Sequence, residues 1–253
     1  MKKIVAIVMT LLLTLALFAG CSSSKSDYEN LKKNGKMVVG ITDFAPMDFK
    51  DENGDWTGFD AELARLVGKE LGLEVKFMEI EWDNKILELN SGAIDCVWNG
   101  MTLNDEVKNS LSCTAPYVLN QQVVVVAEGV TVSSADDLSA LSVAVEAGSA
   151  GAMAGADIGL TMTEVSSQAS ALMEVAAGTS DACIIDKTMA NAMTGAGTSY
   201  DSLSIVLELT NEEYGIGFRK GSDLTQKVND ILQKFRDDGT LQALADKYGL
   251  SLA

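Results

Sequence analysis

Residues 82–107 read WDNKILELNSGAIDCVWNGMTLNDEV. Asp83 can cap a helix running through Leu89, and Gly92 can end it. DCVW (95–98) is then a short buried strand, and Asn99, Gly100 and Thr102 place small hydrogen-bonding groups at its end. The same spacing returns later. Glu88, Gly92 and Asp95 are four and three residues apart, and so are Glu174, Gly178 and Asp181. Each set closes a helix that leads into an apolar strand, CVWNG in the first case and ACIID in the second. Two units of one design would place Asn99-Gly100 and Asp186 at equivalent strand ends. Ligands of open parallel sheets sit at the carboxyl ends of strands, so two such lobes face to face would share one cleft.

Outward from this stretch, strand-like runs alternate with helical patterns, which predicts an α/β chain with parallel sheets and crossover helices. KMVVGI (36–41), EVKFMEI (74–80), QVVVVAE (within 121–128), SVAVEAG, TMTEV, LSIVLEL and EYGIGF read as strands. QVVVVAE is apolar enough to be buried on both faces. Helices are expected over 59–72, from SSADDLSA, from GSAGAMAG and over SSQASALMEVAAG, with a final pair broken near Gly239.

The N-terminus is a different kind of sequence. A charged start, an apolar run from Ile4 to Phe18 and small residues before Cys21 make residues 1–20 a secretory signal. LFAGC resembles a bacterial lipobox, which would make Cys21 the lipidated first residue, carrying palmitate-type acyl chains as a membrane anchor. Residues 21–35 then form a tether and lead-in. Nineteen basic residues face 36 acidic ones; removing Lys2 and Lys3 leaves 17 against 36, a formal charge of −19. That disfavours nucleic acid and anionic membrane surfaces, and it suits a soluble monomer held at the membrane only through its lipid. The absence of histidine removes Ser-His and Cys-His nucleophile pairs and histidine metal sites. No metal or cofactor is expected. Export permits a disulfide, for which Cys96 with Cys113 is the better pair; buried free thiols are slightly favoured.

FAPMDFKDENGDWTGFDAELARLVGKELGLEVKF, the 82–107 stretch, APY, EYGIGFRKG and DGTLQALADKYG together resemble the polar-amino-acid substrate-binding lipoproteins of ABC transporters, extracellular solute-binding family 3. The resemblance covers nearly all of residues 36–249. It implies a type II periplasmic-binding-protein-like clamshell, each lobe a mostly parallel sheet flanked by helices, with two hinge crossings. Lobe one would be 27–118 plus 214–253, and lobe two 119–213. It also implies amino acid transport: capture of a polar amino acid or related amine between the lobes and delivery to a membrane permease.

The resemblance suggests roles for individual residues. Phe44 and Trp82 would be apolar walls around the ligand, with Met47 on the same wall; ordinary core packing is the competing reading for all three. Asn99, Gly100, Met101 and Thr102 would form a turn offering N–H and hydroxyl groups to a carboxylate. Ser149 and Ala150 would cap that carboxylate from lobe two, where a helix N-terminus suits an anion. Asp186 would pair with a ligand ammonium, and it is also placed to cap the helix KTMANAM. Asp43 could meet a cationic side chain, although the loop before it is one residue shorter than usual.

Val107 departs from the pattern. Five residues after the threonine the family usually carries an arginine that grips the ligand carboxylate, and Arg65, Arg219 and Arg236 are not obvious substitutes. Either the carboxylate rests on backbone N–H groups near Thr102 and Ser149 with Lys85 or Lys108 close by, or the ligand lacks a free carboxylate. The first is favoured, because the rest of the anion-binding turn is retained. Two other functions remain open: an acid–base lyase or dehydratase on the same scaffold, using Asp43, Glu146 or Asp186, and a sensory domain acting through a partner.

Overall fold

The computed structural model describes residues 26–253. The signal peptide and the Cys21 lipidation site lie outside the described residues. Strand β1 (Lys36–Ile41) pairs in parallel with β4 (Glu74–Glu79) and β5 (Cys96–Thr102). Between them the chain makes the short hairpin β2 (Phe49–Lys50) and β3 (Trp56–Thr57), then helix α2 (Phe59–Leu71). An earlier helix, α1 (Asp27–Asn34), leads into β1. The second sheet has the same parallel centre: β9 (Val143–Glu146) pairs with β10 (Thr163–Val165) and β11 (Ala182–Asp186).

The sheets are mixed rather than mostly parallel. The chain crosses between them twice, and each crossing delivers an antiparallel strand. From β7 (Val118–Asn120) it passes Gln121 into β8 (Gln122–Ala127), which runs antiparallel to β11. From β12 (Leu203–Glu208), beside β8, it returns through 209–211 into β13 (Glu212–Phe218), antiparallel to β5. The strand orders are β4-β1-β5-β13 followed by β6 (Ser112–Cys113), and β10-β9-β11-β8-β12. As the apolar run predicts, β8 is buried on both faces. Val123 and Val125 pack in one cluster with Ile185 and Leu172, and Val124 and Val126 in another with Ile184 and Leu138. Each such side chain contributes about 1.5–3 kcal/mol of burial.

The repeated spacing marks repeated structure. Helices α3 (Lys85–Ser91) and α6 (Gln168–Ala177) both end on a left-handed glycine, Gly92 and Gly178. In both, the carbonyl of the glutamate then accepts from the connector, Glu88 from Ala93 and Glu174 from Thr179. The aspartates do one job. Asp95 accepts from the Val38 N–H at 2.8 Å, and Asp181 from the Ser142 N–H at 2.8 Å, each tying its connector to the neighbouring strand.

Two expectations need correction, and the cysteines follow the favoured reading of free thiols. Asp83 caps nothing; it lies in a single 3₁₀ turn (Trp82–Asn84), and Asn84 precedes α3 without a side-chain cap bond. The expected turn at 99–102 is the tail of β5, distorted so that Trp98, Asn99 and Gly100 together oppose Ile216 of β13. Cys96 and Cys113 are free thiols, as is Cys183. Strand β13 runs between the first two, with Phe218 opposite Cys96 and Gly217 opposite Cys113. Two strand spacings, roughly 9–10 Å, exceed the reach of a disulfide.

Candidate functional site

A cavity of about 440 Å³, counting the open space at its mouth, lies where the two sheets present their carboxyl ends to each other. Thr42, Asp43, Phe44, Trp82, Lys85, Val107 and the β5 tail from Asn99 to Thr102 line it from one side. Glu146, Gly148, Ser149, Ala150, Gln168 and Asp186 line it from the other. Every site residue expected from the sequence is there except Met47. That side chain is fully buried in the core behind the wall, while its carbonyl accepts from the N–H groups of Asp60 and Ala61 at the start of α2.

The lobes touch around this cavity. Gly148 carries φ +66°, and a Cβ there would lie 2.9 Å from Asp83 Cα across the cleft. Lys85 Nζ donates to the Gly148 carbonyl at 3.0 Å and to the Trp82 carbonyl at 3.3 Å, and sits 4.9 Å from the centre of the Trp82 ring. The cleft is therefore closed. Gly100 faces a similar restriction: φ is +52°, and a Cβ would come 2.4 Å from the Phe44 ring. Phe44 in turn meets Tyr214 edge-on at 6.4 Å.

The β5 tail is held from behind, so much of its hydrogen-bonding capacity is already used. The Gly100 N–H donates to Asp60 Oδ2 at 2.7 Å, and Trp98 Nε1 and the Tyr117 hydroxyl donate to the same carboxyl group. Burial pushes that acid up to about 7 despite these donors. Asn99 is tied to Thr42 and to Asp48. The Thr102 hydroxyl donates to Glu212 at 3.0 Å. Asp60 was not singled out from the sequence, although it stands in the GFD piece that carries part of the resemblance.

Asp186 closes β11 and makes no side-chain cap to α7 (Lys187–Met193). Its carboxylate faces a belt of donors instead. Asn120, Gln122 at 2.9 Å and the Tyr214 hydroxyl at 2.8 Å reach Oδ1, and Gln168 reaches Oδ2. Asn120 and Gln122 also donate to Glu212, so both chain crossings are tied to this acid. Burial first, and the Glu212 charge second, hold Asp186 well above the usual carboxylate range. Asp43, at the exposed mouth, is raised by burial and by Glu79.

On the wall formed by Gly148, Ser149 and Ala150, Ser149 caps α5 (Ala150–Asp157) by accepting from the Ala152 N–H at 3.1 Å. Helix geometry leaves the first two N–H groups, of Ala150 and Gly151, without intrahelical partners. Val107 contributes an aliphatic wall, and Lys85 is the one basic residue among those lining the cavity. Burial lowers its pKa, opposed by Glu106, Glu146 and Asp83. Lys108 is exposed and does not line the cavity. The arginines are committed elsewhere: Arg65 to the Trp56 carbonyl, Arg219 to Asp27, Asp95 and the Ile94 carbonyl, and Arg236 to the Pro116 carbonyl. Gln168 was missed because the start of α6 carries no motif; its place opposite Trp82 in the repeated unit was the available signal.

Residues 37–251 match the family model for bacterial extracellular solute-binding proteins, family 3. The L-cystine-binding protein TcyJ of Escherichia coli (strain K12) is 30% identical over 251 residues, covering 93% of this chain and 92% of that one. The arginine-binding extracellular protein ArtP of Bacillus subtilis (strain 168) is 30% identical over 257 residues and 98% of each chain. An ancestral arginine-binding protein solved with arginine is 34% identical with TM-score 0.79, over 85% of this chain and 98% of that one. A Streptococcus pneumoniae ABC uptake transporter substrate-binding protein with bound histidine is 26% identical with TM-score 0.82, over 89% and 97%.

Proposed function

This chain belongs to the bacterial extracellular solute-binding proteins, family 3, and on that premise we propose that its closed cavity captures one polar amino acid for an ABC permease. The observation that carries the reading is the disposition of charge. A buried carboxyl group, Asp186, and a buried ammonium, Lys85, line one cavity together with Ala150 at the N-terminus of α5. A zwitterion satisfies both: its ammonium on Asp186, its carboxylate on Lys85 and the Ala150 N–H. Phe44 and Trp82 flank the remainder. Capture by two closing lobes excludes water, which strengthens each of these contacts. Relatives named for cystine and arginine, and one solved with histidine, fit this chemistry.

The role is binding and presentation, with no chemical step. Cys21 would tether the protein outside the cytoplasmic membrane, and mass spectrometry of the mature N-terminus tests that: an unmodified Cys21 would exclude the anchor. A thermal-shift screen of the twenty amino acids and simple amines tests capture. A ligand at a hundred times its Kd stabilises the folded form by about 2.7 kcal/mol, roughly 5–10 °C for a chain of this size. No shift with any polar amino acid would overturn the reading. Comparing a hit with its amide tests the carboxylate contact, which should be worth about 1.5–3 kcal/mol.

A further inference from the structure

The cavity holds a second buried carboxylate that the zwitterion leaves unpaired. Glu146 ends β9, is 4% exposed and lines the cavity, and its Oε1 has no hydrogen-bond partner. Asp186 is served by four donors; Glu146 is not. Gln168, between the two acids, binds Asp186 Oδ2 through its amide nitrogen and the Asp186 N–H through its amide oxygen, and its side chain also acts on the Glu146 carboxyl, leaving Oε1 as the unpaired atom. Lys85 acts on Glu146 through space, but its ammonium is held on the Gly148 and Trp82 carbonyls and forms no ion pair with Glu146.

We infer that Glu146 reads the ligand's side chain, and that the captured amino acid carries on that side chain a second nitrogen, cationic at neutral pH. The inference rests on the capture reading and deepens it to a substrate class. Three carboxyl groups, those of Asp43, Glu146 and Asp186, line the cavity, and Lys85 is the one base among the lining residues. A basic side chain supplies Oε1 with its missing donor and, as a cation, favours the ionised form of Glu146. The rings of Phe44 and Trp82 favour the same choice, because an aromatic face attracts a guanidinium or ammonium.

Glu146 adds a readable consequence. Burial pushes it up to about 8, Lys85 and Gln168 pulling the other way and Glu81 adding to the rise. At pH 7 it is mostly protonated in the unliganded cavity. A cationic side chain draws out the ionised form, so binding releases a proton.

The test is calorimetry of the mature chain at pH 7 with L-arginine, L-lysine, L-glutamine and L-norleucine, in two buffers of different ionisation enthalpy. Arginine or lysine should bind at least about thirtyfold tighter than the neutral pair, the scale of a buried charge pair, and release close to one proton. Glu146→Gln should erase that preference and the proton release; its melting temperature controls for folding. Equal binding of neutral and basic ligands, or proton release that survives in Glu146→Gln, would overturn the Glu146 assignment while leaving amino-acid capture intact. Binding of none of the four, with none of the other amino acids binding either, would overturn both.

Discussion

At Val107 the cavity wall is aliphatic, and positive charge arrives instead from Lys85. The exchange changes the chemistry. A guanidinium offers a planar fork to a carboxylate, whereas an ammonium is a point charge with three donors, and two of those are already used on carbonyls. Lys85→Met should therefore lower affinity for the amino acid by about 1.5–3 kcal/mol, measured by calorimetry, while leaving the melting temperature unchanged or higher, since a desolvated charge is removed. Gly148→Ala tests closure, with its melting temperature reporting the separate strain of alanine at φ +66°. Its Cβ would press on Asp83 only when the lobes meet, so affinity should fall at least tenfold with any ligand. Unchanged affinity would mean that the lobes bind without this contact. Legibility at this scale was uneven. Phe44, Trp82, Ser149 and Asp186 carry recognisable surroundings and all reach the cavity. Met47 does not, because the 42–48 loop has no periodicity to say which of its apolar residues turns inward. The donors on Asn99, Gly100 and Thr102 look free in the sequence, but Asp48, Asp60 and Glu212 occupy them, and those acids are distant in the chain.

The helix–glycine–aspartate unit is where sequence and structure agree most closely. Its parts are local: a left-handed glycine stop and an aspartate that bonds the adjacent strand. Asp181→Ala should destabilise its lobe by about 1 kcal/mol through loss of the carboxylate that accepts from the Ser142 N–H and hydroxyl. Asp95→Ala should cost a similar amount, since it removes the acceptor of the Val38 N–H and the partner that Arg219 contacts at 3.4 Å. Lying in different lobes, the two losses should add within about 0.5 kcal/mol in denaturant melts; strong coupling would contradict two independent units. The features not legible at this scale are non-local. Neither the distortion of β5 opposite Ile216 nor the antiparallel placement of β8 and β13 follows from periodicity, because both depend on pairing between strands far apart in the chain.

For the whole molecule, burial of acids couples stability to pH. Asp60 at about 7 and Glu146 at about 8 are both raised, so the folded chain holds their protons more tightly than the unfolded one. Their contribution to stability is complete below about pH 4 and is lost as pH rises through 7 and 8. The melting temperature should fall between pH 5 and 8, and Glu146→Gln should flatten the upper part of that fall; an unchanged slope would mean that Glu146 ionises freely. Through Asn120 and Gln122 the Asp186 carboxyl group shares donors with Glu212 across both chain crossings. Capture at this carboxylate is tested most directly by calorimetric titration of wild type and Asp186→Asn with the amino acid that gives the largest thermal shift. Wild type should show one saturable heat per chain, and the folded Asp186→Asn should lose about 2–5 kcal/mol of affinity. Unchanged affinity in Asp186→Asn, or heat that continues as turnover after saturation, would contradict capture at this carboxylate.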